Sequence, residues 1–439
     1  MSSIRTIDLR KTQLSKGEYQ KLLPRAEMDI DAATKAIEPI LKAVREGDSS
    51  TLKALCKKYD GISPDEIRVP KSELKRALRE LDPKIKKALE ISIARVRKVH
   101  KDQIRKDRKV QVVPGGAVTQ RWIPVDRVGL YVPGGKAVYP SSVIMNVVPA
   151  QIAKVSSIAI ATPPQIENNG LPNKTILATC ELLGIEEVYA IGGAQAIAMF
   201  AYGVKDLCQA VDMVTGPGNI YVAAAKRALR GRIGIDSEAG PTEVAVIADA
   251  SADPASVAAD LISQAEHDVI AAALLITDSE KLAEKVRNEL EARLKKTKHS
   301  ARVAQALSGK QSAIVLVKNI SQGIDVANAY AAEHLEIQTK NEDLVAKKIR
   351  NAGAIFVGKY SPVSLGDYSA GSNHVLPTGG CACHSSGLSV QSFLKGVNLI
   401  KYNKKAFTSI ANTVITLANS EDLPAHGEAM SARIESKKR

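Results

Sequence analysis

The first quarter of the chain carries apolar residues at spacings of three and four. The pattern covers about residues 32 to 106, through IEPILKAVREGDSSTLKALCKKYDG and again through IKKALEISIARVRKV. Such spacing gathers the apolar side chains on one face of a helix. It predicts a group of amphipathic helices at the start of the fold.

Short β-branched and aliphatic runs follow, and segments with helical spacing separate them. The runs are SIAIATP, EEVYAIGG, VDMVTG, EVAVIAD, AALLITDS, SAIVLVK and GAIFVG. Parallel strands can be joined only by a crossover along the sheet face, so this alternation is typical of βαβ units. We predict an α/β fold with more strands than one small sheet requires. From about residue 387 the pattern returns to mixed helical character, and the chain ends in a charged tail, SARIESKKR.

Three glycine turns come after strand-like runs, at residues 131–135 (YVPGG), 191–196 (IGGAQA) and 215–219 (TGPGN). Glycines there let backbone amides approach a phosphate, and ligands of open α/β sheets gather at the carboxyl ends of strands. None of the turns reads GxGxxG, so the dinucleotide fingerprint is absent. From these residues alone, each is either a nucleotide-binding turn or merely a tight turn.

The length of 439 residues predicts two or three domains, each with enough apolar sequence for its own core. Aromatic residues make up only 4%, which argues against stacking platforms for nucleic-acid bases. The formal charge is +14, but the basic residues are interleaved with Asp and Glu along the whole chain. This distribution favours a solvated surface over a binding site for a polyanion.

Five cysteines at irregular spacing favour reduced thiols and an intracellular protein over a disulfide framework. The N-terminal sequence, MSSIRTIDLRKTQL, has no apolar signal core. The most apolar stretch, residues 143–164, is interrupted by polar residues and prolines and cannot span a bilayer as one helix. We therefore predict a cytoplasmic protein without a membrane segment.

Two pairs of nearby polar residues are candidate metal-binding or catalytic residues. Gln264 and His267 lie three residues apart near the end of a predicted helix over residues 254–266, so both side chains leave one face and could bind the same ion. Glu333 and His334 adjoin at the end of the helical run IDVANAYAAEHLEI and offer two proton acceptors of different basicity. Taken alone, each pair is more typical of exposed polar surface.

Further candidates lie towards the C-terminus. Asp367 and His374 belong to GAIFVGKYSPVSLGDYSAGSNHVLPTGG, a loop-rich stretch whose lack of periodicity is typical of a functional loop. Glu421 and His426 lie in ANSEDLPAHGEAM, which on its own is typical of a solvated tail.

A C-x-C-H cluster offers a rival metal site. It places three potential ligands within four residues, namely Cys381, Cys383 and His384. No matching second C-x-x-C or H-x-x-H accompanies it, which argues against a closed zinc site. His100 and His299 lie among lysines and are predicted to be surface residues.

A series of segments along the chain is far more specific in combination than any single motif. They run from about residue 40 to residue 430 and include ILKAVREGDSSTLKALCKKYDG, RWIPVDRVGLYVPGGKAVYPSSVIMNVVPAQIAKV, IGGAQAIAMFAYG, VDMVTGPGNIYVAAAKR, DSEAGPTEVAVIAD, LISQAEHD, AEHLEI, GAIFVG, SLGDYSAGSNHVLPTGG and DLPAHGEA. Read in order, these segments closely resemble the histidinol dehydrogenase family. The N-terminal thirty or so residues match the family only loosely, and CACHSSG replaces a more usual Arg-containing stretch.

The resemblance implies one zinc ion per subunit, held by Gln264, His267, Asp367 and His426. Two imidazoles, a carboxylate and an amide oxygen leave coordination positions for a ligand, and in the family these take the imidazole and amino nitrogens of L-histidinol. The implied substrate contacts are the zinc ligands together with Thr242, His334, His374 and Glu421. The implied NAD contacts are Tyr131, Gln195 and Asn219.

The reaction that the resemblance implies is the last step of histidine biosynthesis, in which L-histidinol is oxidised twice to L-histidine and two NAD are reduced. His334 would accept the alcohol proton while hydride leaves for NAD, and the resulting aldehyde would stay bound. Glu333 would then activate a water that adds to the aldehyde. A second hydride transfer would give the carboxylate, with His334 again as the base.

The family fold implies an intertwined homodimer with two incomplete Rossmann-like domains in each subunit. The expected division is an N-terminal arm (1–28), a first Rossmann-like domain with the metal and catalytic residues (29–130 and 243–386), a second, NAD-contacting one (131–242) and a C-terminal domain (387–439). The last is expected to reach the partner subunit, so that Glu421 and His426 would complete the other subunit's site.

Three alternatives stay open at this point. A relative on the same scaffold could oxidise a different amino alcohol or a sulfonated diol, although His374 and Glu421 favour histidinol. A basic protein that binds nucleic acid would bind with steep salt dependence. A zinc hydrolase could use Glu333 to activate water for ester cleavage, but the NAD-matching positions argue against it.

Overall fold

The computed structural model describes residues 4–26, 28–134, 138–238 and 240–435. Gly135 of the first glycine turn and the last four residues of the predicted tail lie outside the described residues. The strands, in chain order, are β1 (Arg5–Asp8), β2 (Arg108–Val113), β3 (Gly116–Pro124), β4 (Arg127–Tyr131), β5 (Ser157–Thr162), β6 (Val188–Ala190), β7 (Met213–Thr215), β8 (Gly234–Ile235), β9 (Glu243–Ala248), β10 (Ala272–Thr277), β11 (Ala313–Leu316), β12 (His334–Gln338), β13 (Ala354–Val357) and β14 (Leu394–Tyr402).

The α-helices alternate with these strands through most of the chain. They are α1 (Lys16–Leu22), α2 (Ile30–Glu46), α3 (Ser49–Tyr59), α4 (Lys71–Glu80), α5 (Pro83–Asp102), α6 (Pro140–Ile152), α7 (Lys174–Leu182), α8 (Gly193–Tyr202), α9 (Ile220–Leu229), α10 (Pro254–Ala265), α11 (Glu280–Leu294), α12 (Ser300–Ser308), α13 (Ile320–Tyr330), α14 (Glu342–Ala346), α15 (Val363–Tyr368), α16 (Lys404–Ser420) and α17 (Pro424–Glu435). Among the described residues, no helix is long and apolar enough to cross a membrane.

The chain folds into two compact units. The first comprises Met1–Gln103 and Val125–Ser392, and the second comprises Ile104–Pro124 and Phe393–Arg439. The four-part division expected from the family resemblance stays a prediction.

The first unit contains two parallel sheets that share one winding pattern. The five-stranded sheet has the order β6-β5-β4-β7-β8, and the six-stranded sheet has the order β1-β11-β10-β9-β12-β13. Apart from β1, which forms one edge of the six-stranded sheet, the chain in each sheet starts at a central strand (β4 or β9), extends to one side, and then crosses over to the other side. This reversal is the switch point of a Rossmann-like sheet, and it confirms the predicted α/β fold.

The four central strands of the six-stranded sheet, β9 to β12, are buried on both faces. Along β9, Val244 and Val246 belong to one apolar cluster, whereas Ala245 and Ile247 belong to the cluster on the opposite face. Parallel strands covered by helices on both sides give continuous apolar runs rather than alternating ones. Each of the strand-like runs found in the sequence accordingly forms a strand.

The predicted helices also form. α10 begins where expected because the Asp253 side chain accepts a hydrogen bond from the Ala255 N–H at 3.2 Å and Pro254 occupies the first turn. The amphipathic helices α2 to α5 occupy the predicted N-terminal segment. Apolar residues of α2 and α3 join α8 and α9 in one cluster on the five-stranded sheet.

Two expectations from the sequence are wrong. His334 begins the strand β12 and does not continue a helical run, because α13 ends at Tyr330 and Ala331 turns the chain with a φ of 51°. His100 is fully buried and is not a surface residue: its Nδ1 lies 2.8 Å from the Val96 carbonyl oxygen.

The second unit contains an antiparallel sheet of order β14-β3-β2 and the helices α16 and α17. The helical character predicted after residue 387 is confirmed for α16 and α17, but β14 was not foreseen. Most of β14 is exposed, and Leu399 and Ile400 are 52% and 70% accessible.

A buried ion pair supports the turn at 215–219, and its removal tests the fold. Lys226 is 1% exposed, contacts Asp236, and donates to the Gly216 carbonyl oxygen at 2.9 Å. Lys226→Met leaves the Asp236 carboxylate buried without its cation, so we expect the free energy of unfolding in urea to fall by about 3–5 kcal/mol. The exposed Lys285→Met is the control, and an equal effect of both variants would contradict this prediction.

Candidate active site

Glu333 and His334 lie at the amino edge of the six-stranded sheet. His334 pairs with Val244 of β9 in the parallel ladder, which brings the start of β12 beside Thr242 and Glu243 at the start of β9. Glu333 is 7% exposed and His334 is 4% exposed. The pair is therefore buried, and the alternative of an exposed polar pair is wrong.

The Glu333 carboxyl is held by its neighbours on β9. Its Oε2 accepts hydrogen bonds from the Thr242 hydroxyl at 2.6 Å and from the Glu243 N–H at 2.9 Å. Burial raises the pKa of Glu333, and the charge of Asp367 acts in the same direction, while these hydrogen bonds oppose the rise. A carboxyl with a raised pKa can exchange a proton with a reacting group near neutral pH.

His334 has one engaged and one open nitrogen. Its Nδ1 lies 3.0 Å from the Glu243 carbonyl oxygen, and because a carbonyl oxygen only accepts, this contact places the ring proton on Nδ1. Nε2 is buried and has no hydrogen-bond partner among the described residues. It lies 3.8 Å from Oδ1 of Asp367. The ring is therefore oriented to accept a proton at Nε2.

Gln264 joins the same network from the end of α10. Its Nε2 donates to the Thr242 hydroxyl at 2.5 Å, and that hydroxyl in turn donates to Glu333. The amide oxygen, Oε1, is buried and has no hydrogen-bond partner among the described residues. A buried amide oxygen without a donor favours an external ligand, because leaving such a group unpaired is costly.

Asp367, His374 and His267 complete the group in the first unit. The His374 Nδ1 lies 3.1 Å from the Asp367 carbonyl oxygen, and its Nε2 lies 3.3 Å from the Ser142 hydroxyl. Burial lowers the pKa of His374, Asp367 opposes this, and the charges of His334 and His267 lower the pKa further. The side chains of His267, His334, Asp367 and His374 are therefore close enough to interact electrostatically.

The remaining predicted ligands lie in the second unit. Glu421 follows α16 directly, and His426 lies in α17; both are exposed. Their roles stay predictions. In the part of the chain that the structure describes, no three His, Cys, Asp or Glu side chains are grouped closely enough to hold a metal ion. One predicted zinc ligand, Gln264, is not among these four residue types. Another, His426, belongs to the second unit, so the first unit supplies three of the four predicted ligands.

The rival C-x-C-H cluster does not form a metal site in the described structure. Cys381 and Cys383 are free thiols, and burial raises the pKa of Cys381. The His384 Nδ1 lies 2.9 Å from the hydroxyl of its neighbour, Ser385.

A cavity of about 620 Å³ lies at the carboxyl edge of the five-stranded sheet. All three predicted NAD contacts line it: Tyr131 at the end of β4, Gln195 in the first turn of α8, and Asn219 at the N-cap of α9. The Gly193 N–H donates to the Tyr131 hydroxyl at 3.1 Å. The volume and position are those expected of a nucleotide site on a Rossmann-like sheet.

Two polar residues that shape these sites could not be identified from the sequence. Asp60, after α3, lines the cavity, and the Gln195 amide lies 3.4 Å from it; burial raises the pKa of Asp60 to about 6. Arg25 binds the buried Glu243 carboxylate and the Tyr330 carbonyl oxygen. The only sequence signals are the glycine that follows Asp60 in KKYDG and the proline that precedes Arg25 in KLLPRA.

Two Rossmann-like windings, a cavity of nucleotide size and a buried histidine with an open nitrogen are features of an NAD-dependent oxidoreductase. The model of the histidinol dehydrogenase family matches residues 23–434. The chain belongs to this family, whose members are NAD-dependent oxidoreductases acting on CH–OH groups.

The similarity covers nearly the whole chain. It is 59% identical to histidinol dehydrogenase of Streptomyces avermitilis over 432 residues, which are 98% of each protein. It is also 59% identical to histidinol dehydrogenase of Thermobifida fusca over 433 residues, covering 99% of this chain and 98% of the relative. The crystal structure of histidinol dehydrogenase from Elizabethkingia anophelis superposes with a TM-score of 0.91 at 32% identity and covers 99% of both chains.

Gly216 tests the predicted NAD cavity. Its φ is +115°, and an added Cβ would lie 1.9 Å from the Tyr131 carbonyl oxygen. Gly216→Ala must therefore displace the end of β4, and we expect kcat/KM for NAD to fall on the order of 10- to 100-fold.

The matched control is Gly184→Ala, which has a φ of +71° and no atom within 4 Å of the added Cβ. It carries the backbone strain without the clash. If the two variants have equal kcat/KM values for NAD, this cavity is not the NAD-binding site.

Proposed function

We propose that this protein oxidises L-histidinol to L-histidine through bound histidinaldehyde, with reduction of two NAD, as the last step of histidine biosynthesis. The observation that carries the proposal is the buried His334 ring. Its Nε2 has no hydrogen-bond partner among the described residues and lies 3.8 Å from Oδ1 of Asp367, while its Nδ1 lies 3.5 Å from Oε2 of Glu333. The similarity over nearly the whole chain to proteins named histidinol dehydrogenase supports the choice of substrate.

In the first half-reaction, His334 Nε2 accepts the proton of the substrate hydroxyl. The Glu243 carbonyl oxygen stabilises the imidazolium that forms, because it holds the Nδ1–H at 3.0 Å. NAD, when bound, accepts the hydride in each half-reaction, and zinc, when bound, would anchor the imidazole and amino nitrogens of the substrate.

In the second half-reaction, Glu333 takes a proton from the water that adds to the aldehyde carbon. Both hydrogen bonds that Glu333 accepts from described residues go to Oε2, which leaves Oε1 for the water. The product of this addition is the gem-diolate anion. After His334 has released its first proton to solvent, loss of hydride to NAD and of the remaining hydroxyl proton to His334 converts this anion to the carboxylate. Burial supports this role of Glu333 because it raises the pKa of the carboxyl and so its basicity.

The proposed zinc ligands are Gln264, His267, Asp367 and His426. Two observations support a metal here. The Gln264 amide oxygen is buried without a protein donor, and the His267 Nδ1 lies 3.0 Å from the Ser263 carbonyl oxygen, which leaves Nε2 to coordinate. A carbonyl partner on the second ring nitrogen is the usual support for a metal-binding histidine. We assign further substrate contacts to Thr242, His374 and Glu421.

We also propose that the protein is a homodimer in which the C-terminal segment reaches the partner's site. The exposed apolar side chains of the second unit support this, since such a surface is typical of an interface. They include Leu399, Ile400, Leu417 and Leu423.

The proposed reaction has a fixed stoichiometry. With excess NAD, the protein should form two NADH for each histidinol consumed. His334→Ala should lower kcat by about 10²- to 10⁴-fold and leave zinc content and the KM for histidinol near those of the wild type, because only the base is lost. Absorbance of NADH in the steady state measures both. The exposed His299→Ala is the control, and activity confined to a sulfonated diol would refute the substrate assignment.

Zinc content after dialysis separates the two metal sites. His426→Ala should lose zinc, since it removes one of four proposed ligands, while His384→Ala in the rival cluster should retain it. Elemental analysis of the dialysed proteins gives the answer. If His426→Ala retains zinc and His384→Ala loses it, zinc binds at the C-x-C-H cluster and the proposed ligand set is wrong.

A further inference from the structure

A stripe of polar side chains interrupts the apolar sheet beside the active site. His334, Glu336 and Gln338 alternate along β12 and therefore point to the same face, while Leu335 and Ile337 belong to the apolar cluster on the other face. Glu336 is 1% exposed and Gln338 is 8% exposed. A carboxyl in the middle of a central strand is costly unless it is paired, so its partners matter.

The partner of Glu336 is a second carboxyl, Asp260 of α10. The Gln338 amide donates to Oδ2 of Asp260 at 2.9 Å and to Oε2 of Glu336 at 3.1 Å. The two carboxyls also hydrogen-bond each other, which requires a proton on one of them. Burial and the neighbouring Asp260 raise the pKa of Glu336 to about 8, and burial also raises the pKa of Asp260, so the pair keeps one proton between its two carboxyls at neutral pH.

A third element is attached to the same pair. The Val363 N–H, at the start of α15, donates to Oε1 of Glu336 at 2.8 Å. The charge of Arg293 in α11 also acts on the pair: it opposes the rise that burial causes in the pKa of Asp260. The pair thus connects α10, β12 and α15.

These three elements carry the candidate active-site residues. Gln264 follows Asp260 by four residues and lies on the same face of α10. His334 precedes Glu336 by two residues on the same face of β12, and Asp367 follows Val363 by four residues in α15. Each hydrogen bond of the carboxyl pair therefore fixes an element that presents one of these side chains.

We propose that Asp260 and Glu336 are positioning residues: one shared proton binds the two carboxyls together, and this link holds Gln264, His334 and Asp367 in the arrangement that the reaction needs. The inference rests on the proposed function, since it concerns the same site. An apolar pair of similar volume would commonly be as stable or more stable, so stability alone does not account for two buried carboxyls. Groups that orient metal ligands in this way commonly affect metal affinity by about 10- to 100-fold.

The test measures zinc affinity by competition with a chromophoric chelator, at a temperature where circular dichroism shows each variant to be folded. Asp260→Ala removes the link and should weaken zinc binding by about 10- to 100-fold. Glu336→Gln keeps a permanent donor towards Asp260 and should bind zinc like the wild type. If Asp260→Ala does not fold, Gln338→Met removes the amide that joins the carboxyls and should weaken zinc binding in the same direction.

Val257→Ala is the matched control, because Val257 is a fully buried apolar residue of α10. It should lower the melting temperature and leave zinc affinity unchanged. The inference is overturned if Asp260→Ala binds zinc as tightly as Val257→Ala, if Glu336→Gln is as weak as Asp260→Ala, or if the wild type binds no zinc. Failure of the wild type to form NADH from histidinol would instead overturn the proposed function. The zinc affinities of the variants test the role of the Asp260–Glu336 pair without any measurement of NADH.

Discussion

The backbone of one residue, Glu243, holds both members of the candidate catalytic pair. Its N–H donates to Glu333 and its carbonyl oxygen accepts from His334, at 2.9 and 3.0 Å. These contacts exist because β9 and β12 are neighbours at the switch point of the six-stranded sheet and pair in parallel register. The Glu243 side chain is fixed in turn by Arg25, whose guanidinium also lies 4.3 Å from the centre of the Tyr330 ring. The orientation of the site thus depends on the order of strands in the sheet.

The regular parts of the fold were predictable because their burial is uniform. Strands such as β9 and β10 are covered on both faces and give continuous apolar runs, while α10 has a clear start at Asp253 and Pro254. β12 was mistaken for part of a helical run because its polar residues, His334, Glu336 and Gln338, face a polar network instead of a core. The hydrophobic pattern therefore predicts the wrong element where the site begins, because functional sites commonly depart from local sequence rules.

The site itself could be predicted only from the family resemblance. No local pattern marks Glu333 and His334 as buried, and Asp60 and Arg25 act through contacts distant in sequence. The rule that ligands gather at the carboxyl edge of a parallel sheet does locate the cavity lined by Tyr131. It does not locate the catalytic pair, which lies at the amino edges of β9 and β12. The antiparallel sheet was missed for a different reason, since β2 and β14 are mostly exposed and lack a buried apolar face.

The buried carboxyls near the site differ in how their charge is satisfied, and this difference decides which of them can act in the reaction. Glu243 is committed to Arg25. Glu336 shares a proton with Asp260 and is held by Gln338 and the Val363 N–H, so both of its oxygens are occupied. Glu333 instead accepts hydrogen bonds from neutral donors through one oxygen, and burial raises its pKa. Among the described residues it has no ion pair with Lys or Arg and no hydrogen bond to a second carboxyl, since Asp367 acts on it only through its charge. Of these carboxyls, only Glu333 can change its protonation state without breaking an ion pair or a link between elements, which is the property that a base for the water step requires.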